Sequence, residues 1–168
     1  MDADILQELY EHYYAGALLY TLSLCGDEEL AKDLTADAFL KAYLTLPDRE
    51  PSFPYWLMRV CRNLWLDHLR KHSRTVPLEE AGELISFRTP ETVYLQNERS
   101  RALWRAIGTL EPLDREIVTL HYFAGLPLQQ VAAFVGRSYG ATRQRLSRLR
   151  QKLRQEMEEQ GYDVSGTF

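Results

Sequence analysis

The sequence predicts an all-α protein made of two small helical domains, which are joined by a flexible linker and of which the second contains a helix-turn-helix. Apolar residues recur at spacings of three and four along most of its 168 residues, as on one face of a helix. No run of strict apolar-polar alternation between turn residues demands a strand. Residues 73–91 lack this periodicity and contain Pro77, Gly82 and Pro90, which is typical of a linker.

The first domain is predicted to span residues 1–72 and to hold three helices. The first helix is expected to end at Gly26, since glycine favours a helix C-terminus, and Asp27 then caps the second. Pro47 ends the second helix because proline has no amide hydrogen with which to continue it. The three predicted helices lie at about 4–24, 28–46 and 54–71.

The second domain is predicted to span residues 92–158 and to hold four helices, with an acidic, flexible tail following at 159–168. Pro112 and Pro127 mark two helix starts, since the fixed φ of proline suits the first helical position. The four predicted helices lie at about 92–108, 112–124, 127–135 and 138–158.

Charged residues are segregated along the chain, although the formal net charge is only −4. Residues 1–50 hold 11 acidic and 3 basic residues, whereas residues 51–75 hold 1 acidic and 5 basic residues. Residues 137–154 hold 7 basic residues and no acidic one. Lysine and arginine neutralise phosphates, so the two basic segments favour a nucleic-acid partner despite the acidic total.

The helix-turn-helix is predicted over residues 126–146, as a short helix, a turn at Gly136 and a longer helix capped by Ser138. The N-terminal part of the second helix of such a motif meets base edges in the major groove. A solvated basic helix is the alternative interpretation of the same run. The side chains expected at the DNA are Ser138, Tyr139, Thr142, Arg143, Gln144 and Arg145, with Arg148, Arg150, Lys152 and Arg154 at the phosphates.

Aromatic and basic residues are interleaved along residues 53–74, a pattern that suits single-stranded nucleic acid. Asn63 stands in mid-helix, where asparagine is a poor helix former and needs another role, such as a hydrogen bond to a base edge or to a loop. Trp56 and Trp65 fit core packing equally well. The residues expected to bind the single strand are Trp56, Arg59, Arg62 and Asn63.

The sequence supports no enzymatic activity, metal site or cofactor. It contains no nucleophile elbow and no glycine-rich phosphate loop. His68 and His72 are four residues apart, but they lie in a basic run without a third ligand nearby. Cys25 and Cys61 are expected to be buried apolar residues. Without a signal peptide or an apolar run long enough to cross a bilayer, the chain is expected to be cytoplasmic.

With two DNA-type segments on either side of a linker, nearly the whole chain resembles an extracytoplasmic-function (group IV) sigma factor of bacterial RNA polymerase. Residues 31–43 resemble the family's polymerase-binding helix, and residues 56–70 resemble the helix that reads the −10 promoter element. Residues 110–126 are similar to the lead-in to the family's helix-turn-helix, and residues 138–154 to the helix placed in the −35 element.

The resemblance implies a sigma factor that binds core RNA polymerase and directs promoter-specific initiation, with an anti-sigma factor as a further partner. It implies that the helix-turn-helix reads the −35 duplex. It also implies that Asn63, Arg59 and Arg62, with the loop 47–54, hold flipped bases of the melted −10 strand. Leu34 and Phe39 would equally fit a core. The polymerase-facing residues that the resemblance implies are Asp33, Leu34, Asp37, Phe39, Leu40 and Tyr43.

Two other functions remain compatible with the residues. One is a free-standing, dimeric helix-turn-helix regulator that binds operator DNA without polymerase. The other makes residues 1–72 a protein-interaction module, such as an adaptor or an inhibitor, for which DNA binding is incidental.

Overall fold

The computed structural model describes residues 1–73 and 89–165. The described residues form seven α-helices and a single 3₁₀ turn, Val93–Leu95, without any strand, which confirms the all-α prediction. Within these residues no helix is both long enough and apolar enough to span a membrane. The helices are α1 (Ala3–Cys25), α2 (Glu28–Thr45), α3 (Phe53–Ser73), α4 (Glu98–Gly108), α5 (Pro112–Tyr122), α6 (Leu128–Val135) and α7 (Tyr139–Glu159). Most of the predicted linker, residues 74–88, lies outside the described residues.

Local capping fixes several helix ends where the sequence places them. Gly26 follows α1 in the left-handed conformation, at a φ of 70°, and the side chain of Asp27 accepts a hydrogen bond from the Leu30 amide. Gly136 ends α6 in the same conformation, at a φ of 71°. The Ser138 hydroxyl accepts from the Ala141 amide at 3.1 Å and opens α7. The predicted caps are therefore confirmed.

The helix predicted over 92–108 begins six residues later than expected. Thr92 caps the 3₁₀ turn by accepting from the Tyr94 amide, and Asn97 then caps α4 by accepting from the Ser100 amide at 2.7 Å. Asparagine and threonine side chains compete with the helix for backbone amides, so two successive caps reset the start of the helix.

The tail expected at 159–168 is not free over its described part. Gly161 turns the chain back at a φ of 89°, and Val164 is buried beside Ala102 of α4 and Met157 of α7. Burial of an apolar side chain of this size stabilises the fold by about 1.5–3 kcal/mol, which holds the segment down despite its acidic residues.

The two helical domains pack directly against each other. α1, α2 and α3 form the first domain, α4 to α7 form the second, and α1 contacts α5 while α3 contacts α6. Trp104 of α4 belongs to the same buried cluster as Leu18 and Leu22 of α1. The apolar core therefore continues across the boundary between the domains.

Both cysteines are buried and unpaired, Cys61 fully and Cys25 almost fully. Burial raises the pKa of each thiol from 9.0 to about 11. Folding thus favours the protonated thiols. Their contribution to the free energy of unfolding is complete below pH 9 and is lost as the pH rises through about 11, because the unfolded chain releases these protons first.

At pH 8 we expect both thiols of the native protein to react with a disulfide reagent about 100-fold more slowly than in urea, because two pKa units lower the thiolate fraction by that factor. Absorbance of the released aromatic thiolate measures the rate. Glu8→Cys, at an exposed position of α1, is the control and should react rapidly. Rapid native reaction of either buried thiol would contradict this expectation.

Candidate nucleic-acid interface

The second domain presents α7 as an anchored helix with an exposed N-terminal half. Leu146, Leu149 and Leu153 are buried, as their spacing predicts, and hold one face of α7 against the domain. Val131 and Ala132 of α6 are buried as well, whereas Val135 is only half-buried. The helix-turn-helix geometry therefore leaves the opposite face of α7 in solvent.

Most of the side chains expected to read duplex DNA lie on this solvent face. Arg143 and Gln144 are exposed, and both side chains can form paired hydrogen bonds with a base edge. Tyr139 is 45% exposed, which is high for a tyrosine. We call the following set the α7 reading face: Tyr139, Arg143, Gln144 and Arg148.

Thr142 does not lie on the reading face, which corrects its assignment as a base-contacting residue. Its side chain is 1% exposed, and its hydroxyl donates to the Ser138 carbonyl one turn earlier, at 2.8 Å. No part of the side chain is left for DNA. Its β-branched shape fills the junction between α7 and the preceding turn.

Two of the expected arginines are engaged within the second domain. Arg145 donates to the Asp114 carboxylate and lies 3.9 Å from that of Glu111, which ties α7 to the start of α5. Arg150 donates to the Tyr122 hydroxyl, and its guanidinium carbon lies 5.8 Å from the centre of that ring. These contacts direct both side chains towards α5.

In the first domain, Asn63 projects from α3 into solvent. Trp56 is half-buried and stacks on Phe53 with ring centres 6.2 Å apart, while Trp65 is buried. Of the two tryptophans, only Trp56 thus keeps a ring surface that a base could reach.

Arg59 and Arg62, the two basic residues expected at the single strand, both contact the second domain. Arg59 donates to the Phe134 carbonyl at 3.4 Å, and its guanidinium carbon lies 4.6 Å from the centre of the Phe134 ring. Arg62 donates through Nε to the Glu116 carboxylate at 3.0 Å. Both side chains are therefore occupied when the domains are packed together.

Tyr20 of α1 shares the carboxylate that Arg62 uses. Its fully buried hydroxyl donates to Oε1 of Glu116 at 2.6 Å. Burial, together with the nearby Glu116 carboxylate, raises the pKa of Tyr20 well above its ordinary value. The phenol thus stays protonated and remains a hydrogen-bond donor over the physiological pH range.

The surface expected to face polymerase divides into exposed and buried residues. Leu34 and Phe39 are core residues, 7% and 4% exposed, which corrects their assignment to the surface. They pack inward because α2 buries its apolar stripe against α1 and α3. Leu44, which the sequence analysis missed, is 70% exposed. The remaining exposed residues, called here the α2 outer face, are Asp33, Asp37, Leu40, Tyr43 and Leu44.

Sequence reasoning missed the residues that join the two domains. Phe134 is buried and meets the rings of Tyr20 and Tyr55 edge-on, at centre distances of 6.0 and 5.4 Å. Gly16 lies in the middle of α1, where glycine costs about 1 kcal/mol relative to alanine. That cost was the available signal, because a mid-helix glycine indicates close approach by another part of the chain.

The fold and these surfaces define a two-domain helical protein with a helix-turn-helix of the DNA-binding type. Two family models match it: Sigma-70 region 2 over residues 9–75, and Sigma-70, region 4 over residues 100–153. The chain belongs to the sigma-70 family, in its extracytoplasmic-function class, as the resemblance in the sequence predicts.

Curated relatives carry the same class in their names. The ECF RNA polymerase sigma factor BldN of Streptomyces coelicolor is 32% identical over 147 residues, which cover 83% of this chain and 55% of the relative. The chain thus spans about half the length of that relative. The ECF RNA polymerase sigma factor SigM of Bacillus subtilis is 28% identical over 152 residues, which cover 89% of this chain and 93% of the relative.

A solved structure shares the arrangement of both domains. It is the sigma factor RpoE in complex with the anti-sigma factor NepR from Bartonella quintana, which is 25% identical with a TM-score of 0.70. The superposition covers 94% of this chain and 98% of the other.

We expect Thr142→Arg to lower the free energy of unfolding by at least about 2 kcal/mol, because the buried site has no room for a long charged side chain. Gln144→Arg, two residues further along the exposed face, should change it by less than about 0.5 kcal/mol. Urea unfolding followed by circular dichroism measures both. Equal unfolding midpoints for the two variants would place Thr142 on the surface after all.

Proposed function

We propose that this chain is a promoter-specificity subunit that binds core RNA polymerase, reads the −35 element as duplex and captures the melted −10 strand. The observation that carries the proposal is that one chain combines two sigma-family domains with separate nucleic-acid surfaces, the α7 reading face and the exposed side of α3. Both surfaces come from the basic segments of an otherwise acidic chain.

At the −35 element, the α7 reading face enters the major groove. Arg143 forms paired hydrogen bonds with a guanine and Gln144 with an adenine, while Arg148 holds a phosphate. The ion pair of Arg145 with Asp114 supports this assignment, since it fixes the helix that carries the reading residues.

At the −10 element, the first domain captures bases that have left the stack. Asn63 hydrogen-bonds a flipped base, Trp56 offers a ring on which a base stacks, and Arg59 and Arg62 follow the backbone. Opening then requires no covalent chemistry. Captured bases offset the cost of unstacking, which is of the order of a few kcal/mol per base.

The α2 outer face is the proposed polymerase surface. It combines two carboxylates with exposed apolar side chains, of which Leu44 is the most exposed. Exposed apolar residues surrounded by charge are characteristic of protein interfaces. A second proposed partner is an anti-sigma factor, since the structurally similar RpoE is bound to one.

Run-off transcription with purified core polymerase on a promoter library tests the proposal. We expect initiation from a defined subset of promoters when the chain is added, and none with core polymerase alone. Asn63→Ala should lower the yield of open complex at least about tenfold, which corresponds to one lost base contact of about 1.4 kcal/mol. Permanganate reactivity of unpaired thymines measures opening.

Gln7→Ala, at an exposed position of α1 away from the proposed surfaces, is the matched control and should leave opening unchanged. Absence of initiation with a core enzyme that another sigma factor activates would refute the proposal. A footprint on duplex DNA without polymerase would favour the free-standing regulator instead.

Arg143→Ala and Arg148→Ala should separate base reading from phosphate binding. Arg143→Ala should relax the preference at one −35 position and cost about 1–3 kcal/mol on the preferred promoter. Arg148→Ala should weaken binding evenly across sequences and lower the salt dependence by about one phosphate contact. Binding of the reconstituted holoenzyme to single-base variants of the −35 element measures both. Identical profiles for the two variants would contradict the assigned roles.

A further inference from the structure

The contacts between the domains fall on the proposed single-strand surface. Of its four residues, Arg59 and Arg62 are both held by the second domain, through Phe134 and Glu116. We propose that the free protein is autoinhibited by this docking, and that polymerase must separate the domains before α3 can capture DNA. The proposal rests on the function proposed above, because it assigns the masked face to the −10 strand.

Glu116 is the polar centre of the docked interface. It lies on α5 of the second domain, yet its carboxylate accepts from Tyr20 of α1 and from Arg62 of α3. A mostly buried carboxylate with two donors from the other domain is a specific contact, because separating the domains removes both donors at once.

Phe134 is the apolar centre. Its ring is buried between Tyr20 and Tyr55, and Arg59 lies over it at 4.6 Å. An arginine over an aromatic ring is attracted by the negative face of the ring, and this site uses an arginine that DNA would otherwise hold. The docked domain and a DNA strand thus compete for the same guanidinium group.

Gly16 shows how closely the domains approach. A Cβ atom at this position would overlap the carbonyl oxygen of Phe123 and would lie 3.1 Å from the Cα atom of Ala124, both in the second domain. Backbone atoms cannot move aside as a flexible side chain can. Alanine is otherwise favourable in α1, so Gly16→Ala acts on the docking and not on the helix.

The docked arrangement is too small to hold a whole promoter. The −10 and −35 elements are about 25 base pairs apart, which is roughly 85 Å of duplex at 3.4 Å per base pair. A compact chain of 168 residues has a radius of gyration of about 15 Å. The domains must therefore part, and the 15 residues of 74–88 are long enough to extend over about 50 Å.

Docking leaves the α2 outer face accessible. Asp33, Asp37 and Leu40 remain exposed while Arg59 and Arg62 are occupied. The free protein can thus bind polymerase before it can bind the single strand, which orders the two events.

Distance measurements on the full-length free protein test the docking. Spin labels at Glu8→Cys on α1 and Gln151→Cys on α7 report on the two domains, and the native cysteines are buried. We expect a narrow, short distance distribution in the wild-type background. Gly16→Ala and Glu116→Ala should each give a longer, broader distribution, as should core polymerase added to the wild-type background.

Two matched controls should keep the narrow distribution. Gly140→Ala replaces a helical glycine that has open space around it, and Glu98→Ala removes a carboxylate whose partner, Arg105, lies in the same domain. Circular dichroism checks that each variant is folded, and Glu116→Ala carries the test if Gly16→Ala is not. A broad distribution in the wild-type background, or a narrow one in the folded docking variants, overturns the docking.

Single-strand binding tests the inhibition. The probe is a fluorescein-labelled 20-nucleotide DNA of random sequence, and anisotropy gives its dissociation constant for the free protein. If about 90% of the wild-type molecules are docked, the opened variants should bind about tenfold more tightly. Separated domains with unchanged affinity overturn the inhibition. Run-off transcription fails in all variants if the chain is not a sigma factor, whereas the distance changes persist, so the two failures are distinguishable.

Discussion

The close crossing of α1 and α5 at Gly16 is the constraint on which the rest of the arrangement depends. Because no side chain separates the helices there, the face of α1 that carries Tyr20 is brought against α5. A buried phenol needs an acceptor, and Glu116 provides it. The buried carboxylate in turn needs a cation, and Arg62 provides that. One missing methyl group thus decides which charged side chains the first domain can offer to other molecules.

Much of the fold could be predicted because local chemistry determines it. Gly26, Asp27, Gly136 and Ser138 act on amides and carbonyls within a few residues, so their roles are visible in short stretches of sequence. The late start of α4 shows the limit of this reasoning, since apolar spacing continues through residues 92–97 while the caps at Thr92 and Asn97 decide the boundary. Where periodicity and capping disagree, capping prevails.

The candidate sites were less predictable, because they depend on which face of a helix is covered and by what. Thr142 has the residue type of a DNA contact but points inward, and Phe39 has the type of an interface residue but fills the core. Arg62 and Glu116 are 54 residues apart, and Tyr20 and Glu116 are 96 apart. Periodicity within one helix carries no information about such pairs, whereas a glycine in the middle of α1 indicated that a partner existed.

The two thiols determine how this chain can respond to oxidative stress. Peroxide attacks thiolates, and Cys25 and Cys61 are kept protonated and away from solvent at neutral pH. The chain therefore has no oxidisable cysteine switch of its own within the described residues. An oxidative signal that altered transcription through it would have to be detected by another protein and transmitted through the contacts that the two domains make.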